Sequence, residues 1–318
     1  MSCKNCEIKP IIELTNNNIK LCKSCFLKYF ERKAFRTISK YNLIDDKDVI
    51  GIAASGGKDS FAVLHLLNKL ANKKKDIKIK IIAIDEGIKN YRNLDHLKNY
   101  CKENNLELYI YSFEEEFGIS LDEIKNKINL KPCSACGVLR RSLLNSKARE
   151  LNLNKIATGH NLDDEAQSII MNLFRGNLER SARLGPITGI KKDKRFIPRI
   201  KPLYFLTEKE VATYVFIKKF PVDFCECPNS SGSYRTQVRK TINDFEEKQK
   251  GTKHAIISSF IEELPLLKER GQAEIKEWIN YFIDKHTKNF PLIKSKIRIN
   301  KPAMNALLNY SYPGNVRE

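Results

Sequence analysis

A glycine-rich stretch between an apolar run and a helical pattern is the part of the sequence best suited to chemistry. Residues 55–60 read Ser-Gly-Gly-Lys-Asp-Ser and follow the apolar run 49–54. Adjacent glycines let backbone N–H groups approach an anion, and a helix beginning near Asp59 would add its positive end. The spacing is not that of the Walker loop, which excludes that class of nucleotide-binding protein. We therefore predict a phosphate-binding loop between a strand and a helix; the alternative is a Gly-Gly turn without a ligand.

Nine cysteines indicate a second kind of chemistry, and their spacing matters more than their number. Cys3, Cys6, Cys22 and Cys25 form two Cys-x-x-Cys pairs separated by fifteen residues, the spacing of a four-cysteine zinc knuckle. Four protein thiolates leave no open coordination position, so this zinc would be structural. It would stabilise a segment with too little apolar surface to fold alone.

Another set of cysteines is divided between two distant segments. Cys133 and Cys136 form a further Cys-x-x-Cys, and Cys225 and Cys227 come much later in the chain. A proline and a glycine beside the first pair predict that a loop carries it. If folding gathers three of these thiols, one metal position stays open for chemistry. From spacing alone, a closed zinc site with four thiolates is the alternative.

Acidic residues follow the ends of two predicted strands, 78–85 and 155–158. Ligands of an open parallel sheet bind beyond the carboxyl ends of its strands, which places Asp85 and the pair Asp163 and Asp164 beside a nucleotide. Carboxylates with water are the ligands that Mg²⁺ accepts, and a phosphate loop requires Mg²⁺ nearby. The alternative is that the two aspartates only stabilise a helix start. We interpret His160 as a structural residue.

Hydrophobic periodicity predicts the elements that position these residues. Helical spacing from Phe26 to Tyr41 predicts a helix that links the knuckle to the main domain. We also predict a helix over 96–103, in which Cys101 is a buried inert thiol, and a strand over 106–111. Alternating strands and helices indicate an α/β fold with an open parallel sheet.

Charge indicates a polyanionic partner. The 318 residues include 57 Lys and Arg against 38 Asp and Glu, a formal net charge of +19. Nucleic acid is favoured over a membrane, although a lysine-rich composition alone would also give a basic surface. Residues 175–180 and 191–195, with Arg199 and Lys201, form a dense basic region that suits contacts to a phosphate backbone; a solvated face is the alternative.

No run approaches the ~18 apolar residues of a membrane span, and residues 1–6 lack the apolar core of a secretory signal. We therefore expect a cytoplasmic protein without a membrane partner.

Residues 55–60 resemble the PP-loop of ATP pyrophosphatases, which split ATP into AMP and pyrophosphate, and Lys58 resembles their tRNA-modifying branch. From about residue 1 to 270 the chain resembles the tRNA 2-thiouridine synthetases of that group. The matching segments are dispersed: the four-cysteine knuckle, residues 55–60, residues 84–88 (Ile-Asp-Glu-Gly-Ile), Cys133 to Gly137, residues 159–166 (Gly-His-Asn-Leu-Asp-Asp-Glu-Ala), Lys201-Pro202 and Glu226-Cys227-Pro228.

The resemblance implies a PP-loop fold with a doubly wound parallel sheet and a [4Fe–4S] cluster on Cys133, Cys136 and Cys227, with Cys225 as an additional thiol. It implies that ATP with Mg²⁺ adenylates the C2 oxygen of a tRNA uridine, and that sulfur delivered at the iron without a cysteine ligand replaces that oxygen. The implied partners are tRNA, a second copy of the chain in a homodimer, and a sulfur donor, either a ubiquitin-like sulfur carrier protein or free sulfide.

The resemblance also assigns roles to individual residues. Lys58 and Asp59 are expected to act in catalysis, Arg140 to meet an anionic intermediate, and Asp164 to handle Mg²⁺ or a proton. Contacts to the nucleotide are expected from Ala53, Ser55, Gly56, Gly57, Lys58, Asp59, Ser60, Ile84, Asp85, Gly159 and Asp164.

Three domains are predicted: a zinc knuckle over 1–30, a catalytic domain over 31–260 and a helical appendage over 261–318. The family commonly ends in a second four-cysteine knuckle, but no cysteine follows Cys227 here. Instead, residues from about 271 to 318 resemble the lid end of enhancer-binding AAA+ transcription activators, chiefly through residues 306–318. Because the nucleotide-binding core of that class is missing, we expect this appendage to have no ATPase activity of its own.

Two other functions stay open. One is a different PP-loop tRNA modification, either cytidine 2-thiolation or lysidine formation; the other is a nonenzymatic zinc protein that regulates by binding nucleic acid. The cysteine pattern favours thiolation, since lysidine formation needs no sulfur. The regulator hypothesis leaves residues 55–60 and the pair Asp163 and Asp164 unexplained.

Overall fold

A five-stranded parallel sheet forms the centre of the computed structural model, which describes residues 2–91, 93–127, 132–188, 196–222, 227–230 and 233–287. An antiparallel ribbon, β1 (Ile12–Glu13) and β2 (Lys20–Leu21), precedes it. The sheet consists of β3 (Val49–Ala53), β4 (Lys78–Asp85), β5 (Leu108–Ser112), β6 (Lys155–Ala157) and β7 (Arg199–Ile200), in the order β5-β4-β3-β6-β7. The direction of winding reverses between β3 and β6, and this is where open sheets bind ligands.

Eleven helices surround the two sheets in the described part of the chain. Their bounds are α1 (Lys23–Lys40), α2 (Lys58–Lys73), α3 (Asp95–Glu103), α4 (Phe113–Phe117), α5 (Leu121–Lys127), α6 (Pro132–Glu150), α7 (Leu162–Phe174), α8 (Leu178–Ser181), α9 (Glu208–Lys218), α10 (Tyr234–Lys248) and α11 (Thr252–Thr287). A 3₁₀ turn covers Pro228–Ser230. None of these helices is long and apolar enough to span a bilayer.

The sheet is covered on both faces, which confirms the doubly wound α/β fold. Ile81 and Ala83 of β4 belong to one hydrophobic cluster with α1, α2 and α9, whereas Ile82 and Ile84 belong to another with α6. Alternate strand residues point to opposite faces, so each face buries its own helices. A third cluster packs α7 against α11.

One expectation about the elements was wrong, one predicted strand is shifted by one or two residues, and one strand was missed. The cysteine pair 133/136 lies in the first turns of α6 instead of in a loop, because Pro132 suits the first position of a helix and Gly137 is tolerated inside it. The strand expected over 106–111 is β5, Leu108–Ser112. The short edge strand β7 was missed, since two residues carry no periodicity.

The basic region expected to contact RNA is only partly described. Residues 191–195 lie outside the described residues. Lys201 contradicts the expectation because it is buried and its Nζ lies 2.7 Å from Oε1 of buried Glu165. A buried lysine paired in this way is not available to a phosphate backbone.

The predicted domain boundaries at 30/31 and 260/261 both fall inside helices, α1 and α11. They remain predictions. The C-terminal segment is helical as expected as far as Thr287, and residues 288–318, including the segment 306–318, lie outside the described residues.

Candidate active site

The glycine loop, residues 54–57, joins the carboxyl end of β3 to the start of α2. Gly56 has φ +76°, a left-handed conformation that glycine adopts without strain. Gly57 is the N-cap of α2, and no side chain of the described residues caps this helix. The Ser60 hydroxyl donates to the carbonyl of Gly57 at 2.8 Å and tightens the turn. The first N–H groups of α2 are thus available to an anion.

Gly159 brings the end of β6 against this turn. A Cβ atom at this position would lie 2.9 Å from the carbonyl carbon and the Cβ of Asp59, and 3.1 Å from the backbone nitrogen of Ser60. Such distances are too short for any larger residue. Glycine is therefore required here by close backbone approach, and it joins the two strand ends of the site.

Lys58 lies between two carboxylates. Its Nζ is 3.0 Å from Oδ2 of Asp59 and 3.1 Å from Oε1 of Glu208, which is the first residue of α9. Burial lowers the pKa of Lys58, but the two carboxylates outweigh that effect and the pKa is raised. Arg239 of α10 donates to both oxygens of Glu208 at 3.1 and 3.0 Å. These contacts form an ion-pair chain from α2 through α9 to α10.

Asn161 connects the carboxylates of Asp59 and Asp164. It caps α7, its side chain accepting from the backbone N–H of Asp164 at 3.1 Å, and its Nδ2 donates to Oδ1 of Asp59 at 2.9 Å. Burial raises the pKa of Asp59, although the charge of Lys58 lowers it, and the nearby charge of Asp164 raises it further. Burial also raises the pKa of Asp164, which Arg235 opposes from 3.6 Å. Two carboxylates in one cleft create a site for positive charge.

The two neighbouring aspartates have different partners. Asp163 is buried, accepts from the backbone N–H of Glu208 at 2.8 Å and is paired with Lys253. Asp164 is half-buried, and its charge acts on Asp59. The choice of Asp164 as the functional aspartate stays a prediction.

Sequence reasoning missed four residues of this cleft: Asn161, Glu208, Arg235 and Arg239. A signal existed for Glu208, because Thr207 and Glu210 form a capping box and mark a helix start with Glu208 in its first turn. The two arginines are four residues apart and share one face of α10. Their pairing with distant carboxylates depends on tertiary structure.

Residues at the end of β4 form the opposite wall of the cleft. Ile84 is buried, and Asp85 is exposed and accepts from the backbone N–H of Gly87 at 2.9 Å. Arg140 donates to buried Glu86 at 3.2 Å. Burial lowers the pKa of Arg199 to about 10, and the like charges of Arg141 and Arg140 add to the effect. An excess of positive charge therefore faces this side of the site.

The second group of thiols comes together from two separate segments, as expected. Cys133 and Cys136 lie at the start of α6, and Cys227 directly precedes the 3₁₀ turn that packs against this helix. Cys133 Sγ donates to the carbonyl of Asn229 at 3.1 Å. Burial raises the pKa of Cys136, and the charges of Cys227 and Cys133 raise it further. The charge of Arg140 lowers it. Cys225 lies outside the described residues.

The N-terminal cysteines form a more compact group. The sulfurs of Cys3, Cys6, Cys22 and Cys25 all lie within 4.8 Å of one another, with Cys6 3.5 Å from Cys22 and 3.8 Å from Cys25. Zinc–sulfur bonds of about 2.3 Å place the corners of a tetrahedron about 3.8 Å apart, so the four thiols fit one zinc ion. Within the described residues, Cys133, Cys136 and Cys227 do not form so compact a group.

His160 has a structural environment. Its Nδ1 lies 2.9 Å from the Thr158 hydroxyl. Enclosure lowers its pKa to about 4, and the charge of Lys201 contributes. Cys101, the other residue interpreted as structural, is a buried thiol whose pKa burial raises to about 11.

The sequence-predicted residues thus form two neighbouring groups, with Arg140 and Glu86 close to the thiols. The first group lies in the glycine loop, at the start of α2, at and just beyond the carboxyl ends of β3, β4 and β6, and in the first turn of α7: Ala53, Ser55, Gly56, Gly57, Lys58, Asp59, Ser60, Ile84, Asp85, Gly159 and Asp164. The individual role of each residue stays a prediction.

Two family models match separate parts of the chain. One, described as the PP-loop domain, matches residues 27–245 and includes every element from α2 to β7. The other, described as the AAA+ ATPase lid domain, matches residues 268–318.

Curated relatives and a solved structure resemble most of the chain. The cytoplasmic tRNA 2-thiolation protein 1 of Danio rerio is 37% identical over 252 residues, 77% of this chain and 73% of the relative. The tRNA-5-methyluridine(54) 2-sulfurtransferase of Pyrococcus horikoshii is 35% identical over 280 residues, 87% of both chains. The U34-tRNA thiolase NcsA of Methanococcus maripaludis, solved with its [4Fe–4S] cluster, has a TM-score of 0.76 and 32% identity, over 83% of this chain and 88% of that chain.

Proposed function

Because the chain belongs to the PP-loop family of tRNA 2-thiolation enzymes and is a tRNA sulfurtransferase, we propose that it adenylates the C2 oxygen of a tRNA uridine and replaces it by sulfur. One observation supports the two halves of this reaction. A glycine loop for phosphates and three thiols from distant segments occupy the same end of the sheet, with Arg140 beside the thiols.

The activating half uses the cleft around Lys58. The free N–H groups at the start of α2 and the Lys58 ammonium hold the phosphates of ATP and stabilise the negative charge that develops during transfer. The ammonium has three N–H donors, so Lys58 donates to a phosphate while Asp59 and Glu208 hold it in place. Mg²⁺ suits the space beside Asp59 and Asp164, since a divalent cation would remove the repulsion between these two carboxylates.

The sulfur half uses Cys133, Cys136 and Cys227. These soft ligands would hold a [4Fe–4S] cluster, which would supply an iron without a cysteine ligand for sulfur. The exchange needs no change of oxidation state when sulfur enters as sulfide: a C–S bond forms at C2, the C–O bond breaks, and AMP leaves with the oxygen and the bonding electron pair. Arg140 and Arg199 would meet the negative charge of the adenylated uridine.

The proposal also includes the metal of the knuckle, the sulfur donor, the oligomeric state and the cellular compartment. Zinc on Cys3, Cys6, Cys22 and Cys25 stabilises the knuckle. The sulfur donor is free sulfide or a ubiquitin-like sulfur carrier protein, the active form is a homodimer, and the reaction takes place in the cytoplasm, which the name of the fish relative states for that protein.

The proposal is tested by anaerobic purification, measurement of iron, sulfide and zinc, and an assay of sulfur transfer from sulfide to unmodified tRNA with and without ATP. We expect iron and sulfide near four each per chain, and a thiolated uridine, located by nuclease mapping and mass spectrometry, that forms only with ATP. Full thiolation by iron-free protein would exclude the cluster, and no thiolation by iron-loaded protein would contradict the function.

Single cysteine variants test the ligand assignment. Cys227→Ala should lose the iron and the absorbance of the cluster, whereas Cys225→Ala should keep both. Cys101→Ser is the matched control, because this thiol is buried in α3 away from the site. Retention of the cluster by Cys227→Ala together with its loss in Cys225→Ala would reverse the assignment.

A further inference from the structure

A basic groove crosses the surface between α1 and α2. It is a pocket of about 500 Å³ whose cationic lining consists of Lys28, Arg32 and Arg36 from α1 and Lys69 and Lys73 from α2. These five residues define the basic groove. Neither the nucleotide cleft nor the two cysteine groups includes any of them.

Helical spacing places the cations in two rows. Residues 28, 32 and 36 follow one another at intervals of four along α1, and residues 69 and 73 do the same on α2. Side chains four residues apart lie on one face of a helix with a rise of about 6 Å between them. Four of the five side chains are exposed, and Lys69 is half-buried. Both rows therefore present positive charge to solvent along the length of the groove.

Most of this charge is not neutralised by the protein. The one acidic residue of the lining, Glu31, is held by Lys69 at 2.6 Å and accepts from the Tyr214 hydroxyl at 3.0 Å, and its side chain is only 15% exposed. No carboxylate of the described residues pairs with Lys28, Arg32, Arg36 or Lys73. Like charges at this spacing repel one another, so an external anion would stabilise both rows.

The position of the groove indicates the size of the anion. Lys69 lies three turns along α2 from Lys58, which corresponds to about 16 Å, and Lys73 lies one turn further. A single nucleotide in the cleft cannot reach that far. A folded RNA can, because its phosphates continue along both strands well beyond the nucleotide that reacts.

We infer that the basic groove binds the phosphate backbone of the tRNA substrate at a distance from the modified uridine. The inference rests on the proposed function. Two rows of cations without base-reading geometry supply affinity and orientation, and they carry no sequence information. The groove therefore favours an intact tRNA over a short stem-loop that contains the same uridine.

The double variant Arg32→Glu/Arg36→Glu tests this inference. We expect its dissociation constant for full-length tRNA at 50 mM salt to rise about tenfold. The logarithm of the association constant should also depend less steeply on the logarithm of the salt concentration, with a slope smaller in magnitude by about two. Binding of the short stem-loop and of ATP should be unchanged. Lys98→Glu/Lys102→Glu on α3 is the matched control, with the same charge change at the same helical spacing, and should bind tRNA as the unaltered protein does. Thermal melting shows that both variants are folded.

Each of the other possible results would contradict either the inference about the groove or the proposed function. If the groove variant binds tRNA normally while the unaltered protein thiolates it, the inference is wrong and the function stands. If the variant binds tRNA normally but loses binding to an acidic sulfur carrier protein, the groove serves that partner instead. An equal loss for the stem-loop would place the groove at the reacting nucleotide, and failure of the unaltered protein to bind any tRNA would overturn the inference together with the proposed function.

Discussion

The ammonium group of Lys58 connects the start of α2, beside the glycine loop, to the rest of the cleft. It contacts Asp59 from its own helix and Glu208 from α9, and Arg239 holds Glu208 in turn. Because its pKa is raised, Lys58 stays protonated throughout the neutral range. The carboxylates fix the position of the ammonium, so little reorganisation is needed when phosphates bind.

Substitution of Lys58 tests its role at the phosphates. Lys58→Met should lower the rate of tRNA-dependent AMP release about 10² to 10³-fold, the usual effect of removing one preorganised stabilising charge. Glu208→Gln should mainly raise the KM for ATP, since it loosens Lys58 without removing it. Lys209→Met is the control: this exposed neighbour donates to the Glu13 carbonyl at 3.2 Å and does not face the cleft. Normal AMP release by Lys58→Met would exclude Lys58 from the activation step.

The carboxyl end of β6 packs closely on the start of α2, and Gly159 makes this packing possible. We expect Gly159→Ala to push the loop after β6 away from the glycine loop, because the added Cβ would meet Asp59 at 2.9 Å. The expected result is an ATP dissociation constant raised at least tenfold and a loss of about 1 to 3 kcal/mol in the free energy of unfolding. Calorimetric titration with ATP and denaturant unfolding measure these two effects.

Gly51→Ala provides a matched control on β3. Its Cβ would meet the end of the Leu153 side chain at 2.4 Å, in the hydrophobic core and away from the cleft. It should lower stability while leaving the affinity for ATP unchanged. If both variants lose stability and neither loses affinity for ATP, the close approach at Gly159 serves only the fold.

Local patterns predicted most elements because each was strongly periodic or strongly marked. The strand and loop before α2, the four-cysteine knuckle and the carboxylates after β6 all follow from residues adjacent in sequence. The edge strand β7, the burial of Lys201 against Glu165 and the pairing of α10 arginines with the cleft do not. They depend on contacts between distant segments, for which one sequence contains no periodic signal.

At the scale of the whole molecule, α1 joins the knuckle to the face of the sheet opposite α6. Phe30 of α1 stacks on Tyr214 of α9 at 4.0 Å, and the Tyr29 hydroxyl donates to Glu210 at 2.7 Å. Glu13 of the ribbon pairs with Lys250, between α10 and α11, at 2.8 Å. Stability of the knuckle and of the catalytic domain is therefore coupled through one packed layer.

Two half-buried histidines, His65 and His254, give this fold a defined dependence on pH. His65 lies beside Tyr214 and Phe220, with ring centroids 6.1 and 5.1 Å away, and its Nε2 has no partner in the described structure. Burial lowers its pKa to about 4, and the charge of Lys218 contributes. Burial also lowers the pKa of His254. The unfolded chain protonates His65 near pH 6.5, whereas the folded chain does so only near pH 4, and His254 shifts in the same direction.

Stability should therefore decrease as pH falls from 6.5 to 4, because the unfolded state binds more protons over that range. We expect His65→Phe to reduce this loss, since phenylalanine fits among the same aromatic rings and cannot be protonated. Phe113→Leu is the control, because it removes packing in the hydrophobic cluster on the other face of the sheet and leaves the surroundings of His65 unaltered, so it should lower stability by a similar amount at every pH. Denaturant unfolding at half-unit pH intervals measures the slope for each variant. An unchanged slope in His65→Phe would mean that protonation of His65 does not contribute to the acid sensitivity of the fold.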